Sequence, residues 1–174
     1  MTGAWFDISR HFIRDRHGPR LLPAVTAIVL SLAVLSGCSS STPAAAIDPP
    51  SGWPVSSDKA TVTSNFGAPR RGYSHQGIDL AAPSGTTVRS TADGRVAFAG
   101  KSGDFGRLVV IDHGGGWETR YAHLKKIAVG HGNRVRRGDA IGSVGHSGNA
   151  RGDHLHYEVR YNGQPVDPRR TLRR

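Results

Sequence analysis

What most constrains this chain is how often glycine interrupts it. Beyond Thr61, no stretch of helical length carries an apolar stripe at a 3.6-residue period. Short apolar or alternating runs stand there instead: Thr61–Ser64, Gly77–Ala81, Thr87–Ser90, Gly94–Ala99, Leu108–Asp112, Glu118–His123, Ala140–Val144 and Leu155–Arg160. Between them lie Ala92-Asp93-Gly94, Ser102-Gly103-Asp104, His113-Gly114-Gly115-Gly116, Arg137-Gly138-Asp139 and Asn162-Gly163, all with turn chemistry. The pattern predicts a mainly β domain of short antiparallel strands with little helix. It would close as a β-sandwich or a partly open barrel. A length of 174 residues suits one such domain with additional sequence attached. No repeat of solenoid or propeller period is visible.

Side chains on a strand alternate between its two faces. In His154-Leu155-His156-Tyr157-Glu158-Val159-Arg160, alternation puts His154, His156 and Glu158 on one face and Leu155, Tyr157 and Val159 on the other. Two imidazoles thus point the same way from a strand whose reverse face is apolar. By the same rule Tyr121 and His123 share a face in Glu118–His123.

The chain holds nine His. A catalytic zinc takes three protein ligands, usually His and carboxylate, and keeps one position open. His75-Gln76-Gly77-Ile78-Asp79 offers an H-x-x-x-D, and His154-Leu155-His156 offers a pair. Gly77 and the following Leu80-Ala81 argue against a helix, so this is no H-E-x-x-H site; a loop entering a strand would have to meet the spacing. Taken singly, each residue has a plainer reading. His75 could be a loop histidine, Asp79 a turn cap, His123 a cross-strand partner, and His154 and His156 solvent-facing strand residues.

Ahead of this region, Arg10, Arg14, Arg16 and Arg20 face only Asp7 and Asp15 in the first twenty residues. The apolar stretch Leu21–Leu35 follows. At about 1.5 Å per residue it reaches roughly 22 Å, short of a ~30 Å hydrocarbon core, so it matches a secretory signal better than a permanent span. No Arg-Arg pair points to twin-arginine export. The lone cysteine, Cys38, excludes an internal disulfide framework and any multi-Cys zinc finger. It ends Leu35-Ser36-Gly37-Cys38, which resembles the bacterial lipobox. The resemblance implies that residues 1–37 are a lipoprotein signal peptide and that Cys38 carries the lipid and begins the mature chain. Residues 38–52, rich in Ser, Thr, Pro and Ala, read as a flexible tether, with Trp53-Pro54-Val55 starting the packed domain.

The formal net charge is +10, of which +8 remains once residues 1–37 are removed. Arg134, Arg136, Arg137 and the basic tail over residues 169–174 contribute to it. Such a balance suits a polyanionic neighbour: an anionic membrane surface, an anionic wall polymer or nucleic acid. No helix-turn-helix, RNA-recognition or finger signature supports nucleic acid, and a secretory signal leads away from it.

Several motifs, in order, carry a family resemblance. They are His75-Gln76-Gly77-Ile78-Asp79-Leu80, Tyr121-Ala122-His123-Leu124 and Gly152-Asp153-His154-Leu155-His156-Tyr157-Glu158-Val159. Flanking stretches agree, among them Asn65-Phe66-Gly67 with Arg70, Ala81-Ala82-Pro83-Ser84-Gly85-Thr86, Arg137-Gly138-Asp139-Ala140-Ile141-Gly142, Gly145-His146-Ser147-Gly148 and Asn162-Gly163-Gln164-Pro165-Val166-Asp167-Pro168. Together they resemble the lysostaphin-like (LytM-type) zinc endopeptidases of bacterial peptidoglycan, over residues 53–168.

The resemblance implies one zinc ion in a groove, with His75, Asp79 and His156 as its ligands. His123 and His154 are then the non-ligand catalytic histidines, His154 taken as general base and His123 as stabiliser. Degenerate members of the family lose ligands; this chain keeps every one. With the lipobox, it implies an exported enzyme, expected as a monomer and anchored through Cys38 on the outer side of the cytoplasmic membrane, facing wall or periplasm. It would hydrolyse peptide bonds in peptidoglycan stem peptides or cross-links. The competing expectation is a non-catalytic peptidoglycan-binding regulator of another hydrolase. His113 is expected in a structural loop near the substrate groove, His131 and His146 in solvated connections. Tyr73 and Trp117 are candidates for substrate contact or for packing, and Asp153 for contact with a site histidine or for a turn cap. Within these 174 residues no wall-binding module or long coiled coil is expected beside the domain.

Overall fold

The computed structural model describes residues 47–56 and 58–172. The expected signal segment, Cys38 and most of the tether lie outside the described residues. Thirteen strands follow in order: β1 (Thr61–Ser64), β2 (Pro69–Arg70), β3 (Tyr73–Ser74), β4 (Ile78–Ala81), β5 (Thr87–Arg89), β6 (Gly94–Ser102), β7 (Gly106–Gly114), β8 (Trp117–Ala122), β9 (Lys126–Ile127), β10 (Arg134–Val135), β11 (Ala140–Ser143), β12 (His154–Tyr161) and β13 (Gln164–Val166). Two short 3₁₀ turns, Gly103–Phe105 and Pro168–Arg170, are the helical pieces among the described residues. Each run of alternation named above forms a strand. The very short strands β2, β3, β9, β10 and β13 went unforeseen, because two or three residues carry no period. Their pairing is imposed by neighbours.

All strand pairs are antiparallel. The large sheet runs β1-β4-β12-β8-β7-β6-β10, with β13 also on β12; β5-β11-β9 forms a second sheet and β2-β3 a hairpin. The core takes Ile78 and Leu80 from β4, Val109 and Ile111 from β7, Leu155, Tyr157 and Val159 from β12, and Val88 and Ile141 from the smaller sheet. This is a β-sandwich, as alternation predicts. Tyr121 and Tyr157 stand directly opposite each other and are fully buried. Their hydroxyls lie 3.1 and 2.9 Å from Thr91 Oγ1, so neither phenol is buried without a partner.

Pro43–Arg174 forms a compact unit of its own. Packing begins ahead of Trp53: Pro50 is buried, Ser51 N donates to Thr91 O at 3.1 Å, and Gly52 N donates to Thr171 O at 3.0 Å. At the other end Thr171 is buried and Leu172 packs on the core, so the start of the basic tail is part of the domain.

His113 differs from expectation. It is a buried residue of β7, 2.7 Å from both Asp93 O and Thr119 Oγ1. The strand runs on to Gly114, which pairs with Trp117, so only Gly115 and Gly116 make the turn. That turn lies at the opposite end of β8 from His123.

Candidate metal centre and active site

The centre is assembled by the pairing of β4 with β12. His156 and Asp79 are direct cross-strand partners, and opposite residues of antiparallel strands share a face. Gly77 allows the close approach: a Cβ there would strike the backbone carbonyl of Tyr157. His75 arrives from the β2–β3 hairpin. Its N–H donates to Ala68 O, and its carbonyl accepts from Gly67 N, both at 2.9 Å.

One atom from each residue meets at the centre. His75 Nε2 lies 3.0 Å from His156 Nδ1 and 3.1 Å from Asp79 Oδ1, which is 2.9 Å from His156 Nδ1. His75 Nδ1 donates to Asn65 O at 2.9 Å, which leaves Nε2 with its lone pair facing the other two atoms. A bare nitrogen, a second imidazole nitrogen and a carboxylate oxygen crowded within about 3 Å need a positive charge between them. Two His and one carboxylate are a donor set suited to zinc. Among the described residues, His75, Asp79 and His156 are the group of His, Cys, Asp and Glu so placed.

Burial pushes the Asp79 carboxyl upward, but the neighbouring His156 and His75 imidazoles outweigh it and hold the group well below the ordinary carboxylate range. Arg70 Nη2 grips the second oxygen of Asp79 at 2.8 Å and Ser64 Oγ at 2.8 Å. For His156, burial works to lower the pKa, and hydrogen bonds to Asp79 and Glu158 raise it on balance.

His123 corrects the reading of its strand. Ala122 lies opposite His156, and Tyr121 opposite Tyr157. Strict alternation would therefore send His123 into the core with Tyr121. Its φ is 60° instead, a left-handed conformation uncommon for a residue with a Cβ. This turns the ring onto the metal face, 4.7 Å from the His154 ring and 6.0 Å from that of His156. The backbone is pinned by His123 N to Phe105 O at 2.9 Å. The ring is pinned by Nδ1 to Ser147 O at 2.8 Å. His154 Nδ1 likewise donates to Gly152 O at 2.8 Å. In neutral form both rings thus present a bare Nε2. Burial lowers the His123 pKa.

A cleft of about 240 Å³ lined by Thr63, Asp79, Ala81, Gly152, Asp153 and His154 opens beside the cluster. Phe105 forms an apolar wall, its ring 5.8 Å from that of His156. Asp153 pairs with His146 at 2.8 Å and not with a site histidine. Tyr73 is exposed beside His75, whereas Trp117 packs on Tyr161 at the far end of β8. Phe105 was not legible as a site element, nor were the contacts by which Arg70 and the Ser147 carbonyl enter the site, although both lie in stretches that carry the resemblance. Their contacts join residues far apart in the chain, and no local period marks them.

Comparison with known proteins decides the family. Residues 73–168 match peptidase family M23, more than half of the chain. The chain belongs to peptidase family M23. One relative is the DD-carboxypeptidase/endopeptidase Mpg of Neisseria meningitidis serogroup B, 54% identical over 54% of this chain and 22% of that protein. Another is the murein hydrolase activator NlpD of Salmonella dublin, 36% identical over 85% of this chain and 37% of that protein. A crystal structure of a zinc-containing peptidase from Vibrio cholerae superposes with a TM-score of 0.64 at 38% identity, covering 69% of this chain and 39% of that one. The chain spans between about a fifth and little more than a third of the curated relatives named here.

Proposed function

We propose that this chain is a zinc-dependent endopeptidase that hydrolyses peptide bonds in peptidoglycan stem peptides or cross-links. The observation that carries the reading is the convergence of His75 Nε2, His156 Nδ1 and Asp79 Oδ1 within 3.1 Å, beside two imidazoles with Nε2 free. In this reading His75, Asp79 and His156 hold the metal. Bound zinc supplies a Lewis acid and lowers the pKa of water towards ~7. His154 presents its Nε2 to take a proton from the attacking water. His123 would donate to the oxyanion or the leaving amine only after Nε2 has taken up a proton, and burial, by lowering its pKa, makes that imidazolium the stronger acid. Arg70 and the Asn65 carbonyl keep the ligands oriented.

The proposal extends to location: export by the segment ending at Cys38, a lipid on that thiol, and a domain held on the outer face of the cytoplasmic membrane. Cys38→Ser should move the protein from the membrane to the soluble extracytoplasmic fraction; unchanged membrane retention would sink this part.

The decisive experiment is mass spectrometry of muropeptides released from sacculi by zinc-loaded protein. Chelation or His75→Ala should abolish release, and the products identify the bond. Folded, zinc-loaded protein that leaves every peptide bond intact removes the enzyme reading. The activator among the relatives favours one alternative, a wall-binding regulator of another hydrolase. That role predicts full rescue of a deletion phenotype by His156→Ala.

A further inference from the structure

We propose that Glu158 is a positioning residue of the metal centre: its carboxylate accepts a hydrogen bond from His156 Nε2–H, which keeps the proton there and leaves Nδ1 bare towards the metal. The inference rests on reading His75, Asp79 and His156 as metal ligands.

A neutral imidazole carries its proton on either nitrogen, and only the bare one can ligate. For His75 the backbone makes the choice, through Asn65 O. For His156 both nitrogens face carboxylates: Nδ1 lies 2.9 Å from Asp79 Oδ1, and Nε2 lies 3.1 Å from Glu158 Oε1. Since Asp79 Oδ1 belongs to the ligand cluster, Glu158 is the acceptor that can draw the proton to the outer side.

Glu158 reaches this place because residues i and i+2 of β12 share a face. Its side chain is 1% exposed, an unusual setting for a carboxylate. Arg160 Nη1 binds the other oxygen, Oε2, at 2.7 Å, and Arg120 Nε lies 3.9 Å from it. The two carboxylates of the centre are built alike. Asp79 gives Oδ1 to the cluster and Oδ2 to Arg70, while Glu158 gives Oε1 to His156 and Oε2 to Arg160. Each arginine stops its carboxylate from rotating. Arg160 Nη1 also donates to Gln76 Oε1 at 3.0 Å, which ties β12 to the residue beside His75.

A purely structural ion pair on this face would hold the sheet together without setting the His156 proton. Zinc affinity and the tautomer separate the two roles, measured on residues 43–174. Glu158→Ala should bind zinc about 10- to 100-fold more weakly in competition with a chromophoric chelator. Glu158→Gln keeps a carbonyl acceptor and should lose less. In zinc-free wild type, above the titration range of His156, ¹⁵N NMR should find the proton on Nε2. In Glu158→Ala it should be shared between both nitrogens. Zinc affinity of Glu158→Ala within about twofold of wild type overturns the proposal, as does a wild-type proton on Nδ1. If Glu158→Ala does not fold, the wild-type spectrum decides alone. A protein that passes these tests yet cuts no muropeptide overturns the enzyme reading and leaves this one standing.

Discussion

His123 offers a test in which stability and activity come apart. Its φ of 60° costs a residue with a Cβ about 1–2 kcal/mol, a strain glycine does not carry. Replacing His123 with Gly removes that strain. It also removes the Nδ1 bond to Ser147 O, worth about 1 kcal/mol, and adds about 0.5–1 kcal/mol of unfolded-chain entropy. The terms nearly cancel, so His123→Gly should lie within about 1 kcal/mol of wild type. His123→Ala loses the same bond and keeps the strain. It should therefore be about 0.5–1 kcal/mol less stable than the Gly variant, the reverse of the order at an ordinary strand position. The assay is urea unfolding of residues 43–174 with chelator present, so that metal binding adds no linkage. Both variants should lose about 10²- to 10⁴-fold in muropeptide release, as expected for a missing acid–base group. An Ala variant as stable as the Gly variant would refute the left-handed turn, and with it the account of how His123 reaches the metal face.

Asp79→Asn keeps the side-chain shape but removes the only carboxylate of the ligand set; zinc affinity should fall at least about 10-fold by chelator competition, and unchanged affinity would exclude Asp79 as a ligand. His113 is held neutral by burial, which depresses its pKa despite the hydrogen bond to Asp93 O. Below about pH 6.5 the unfolded state binds the proton more readily, so the stability due to this residue is present above that pH and lost as pH falls through the folded pKa. His113→Gln, whose amide N–H can donate to Asp93 O and which gains no charge, should lose less melting temperature between neutral and mildly acidic pH; an equal loss would count against this account. At Gly77 the obstacle to a side chain is backbone, the Tyr157 carbonyl, with Glu158 Cγ 3.0 Å away. Gly77→Ala should cost about 1–3 kcal/mol in urea unfolding and weaken zinc binding, since β4 must move from β12. A fully stable, zinc-tight Ala variant would rule that contact out.

The strand pattern was legible because it follows from local geometry, and most of the site because short motifs resembling a family carry it. Alternation along residues 154–160 placed His154, His156 and Glu158 together, and β12 keeps that alternation from end to end. It failed at His123, where one positive φ reverses the face. The carbonyls of Phe105 and Ser147 that hold the turn come from distant loops. The turn expected at His113 begins later because the length of β7 is set by its pairing with β6 and β8. The pairing of Arg70 with Asp79 was also invisible, since it depends on how the β2–β3 hairpin folds over β4.

What this sequence determined by itself is the class of fold, the family motifs and the set of side chains available for chemistry. Strand alternation comes from backbone chirality and needs no partner. What only the tertiary structure decided is which atoms meet. The register of β4 on β12 sets Asp79 against His156, a left-handed residue aims His123, and two arginines orient two carboxylates. Those outcomes depend on strand register and loop entry, which are settled by contacts between residues far apart in the chain.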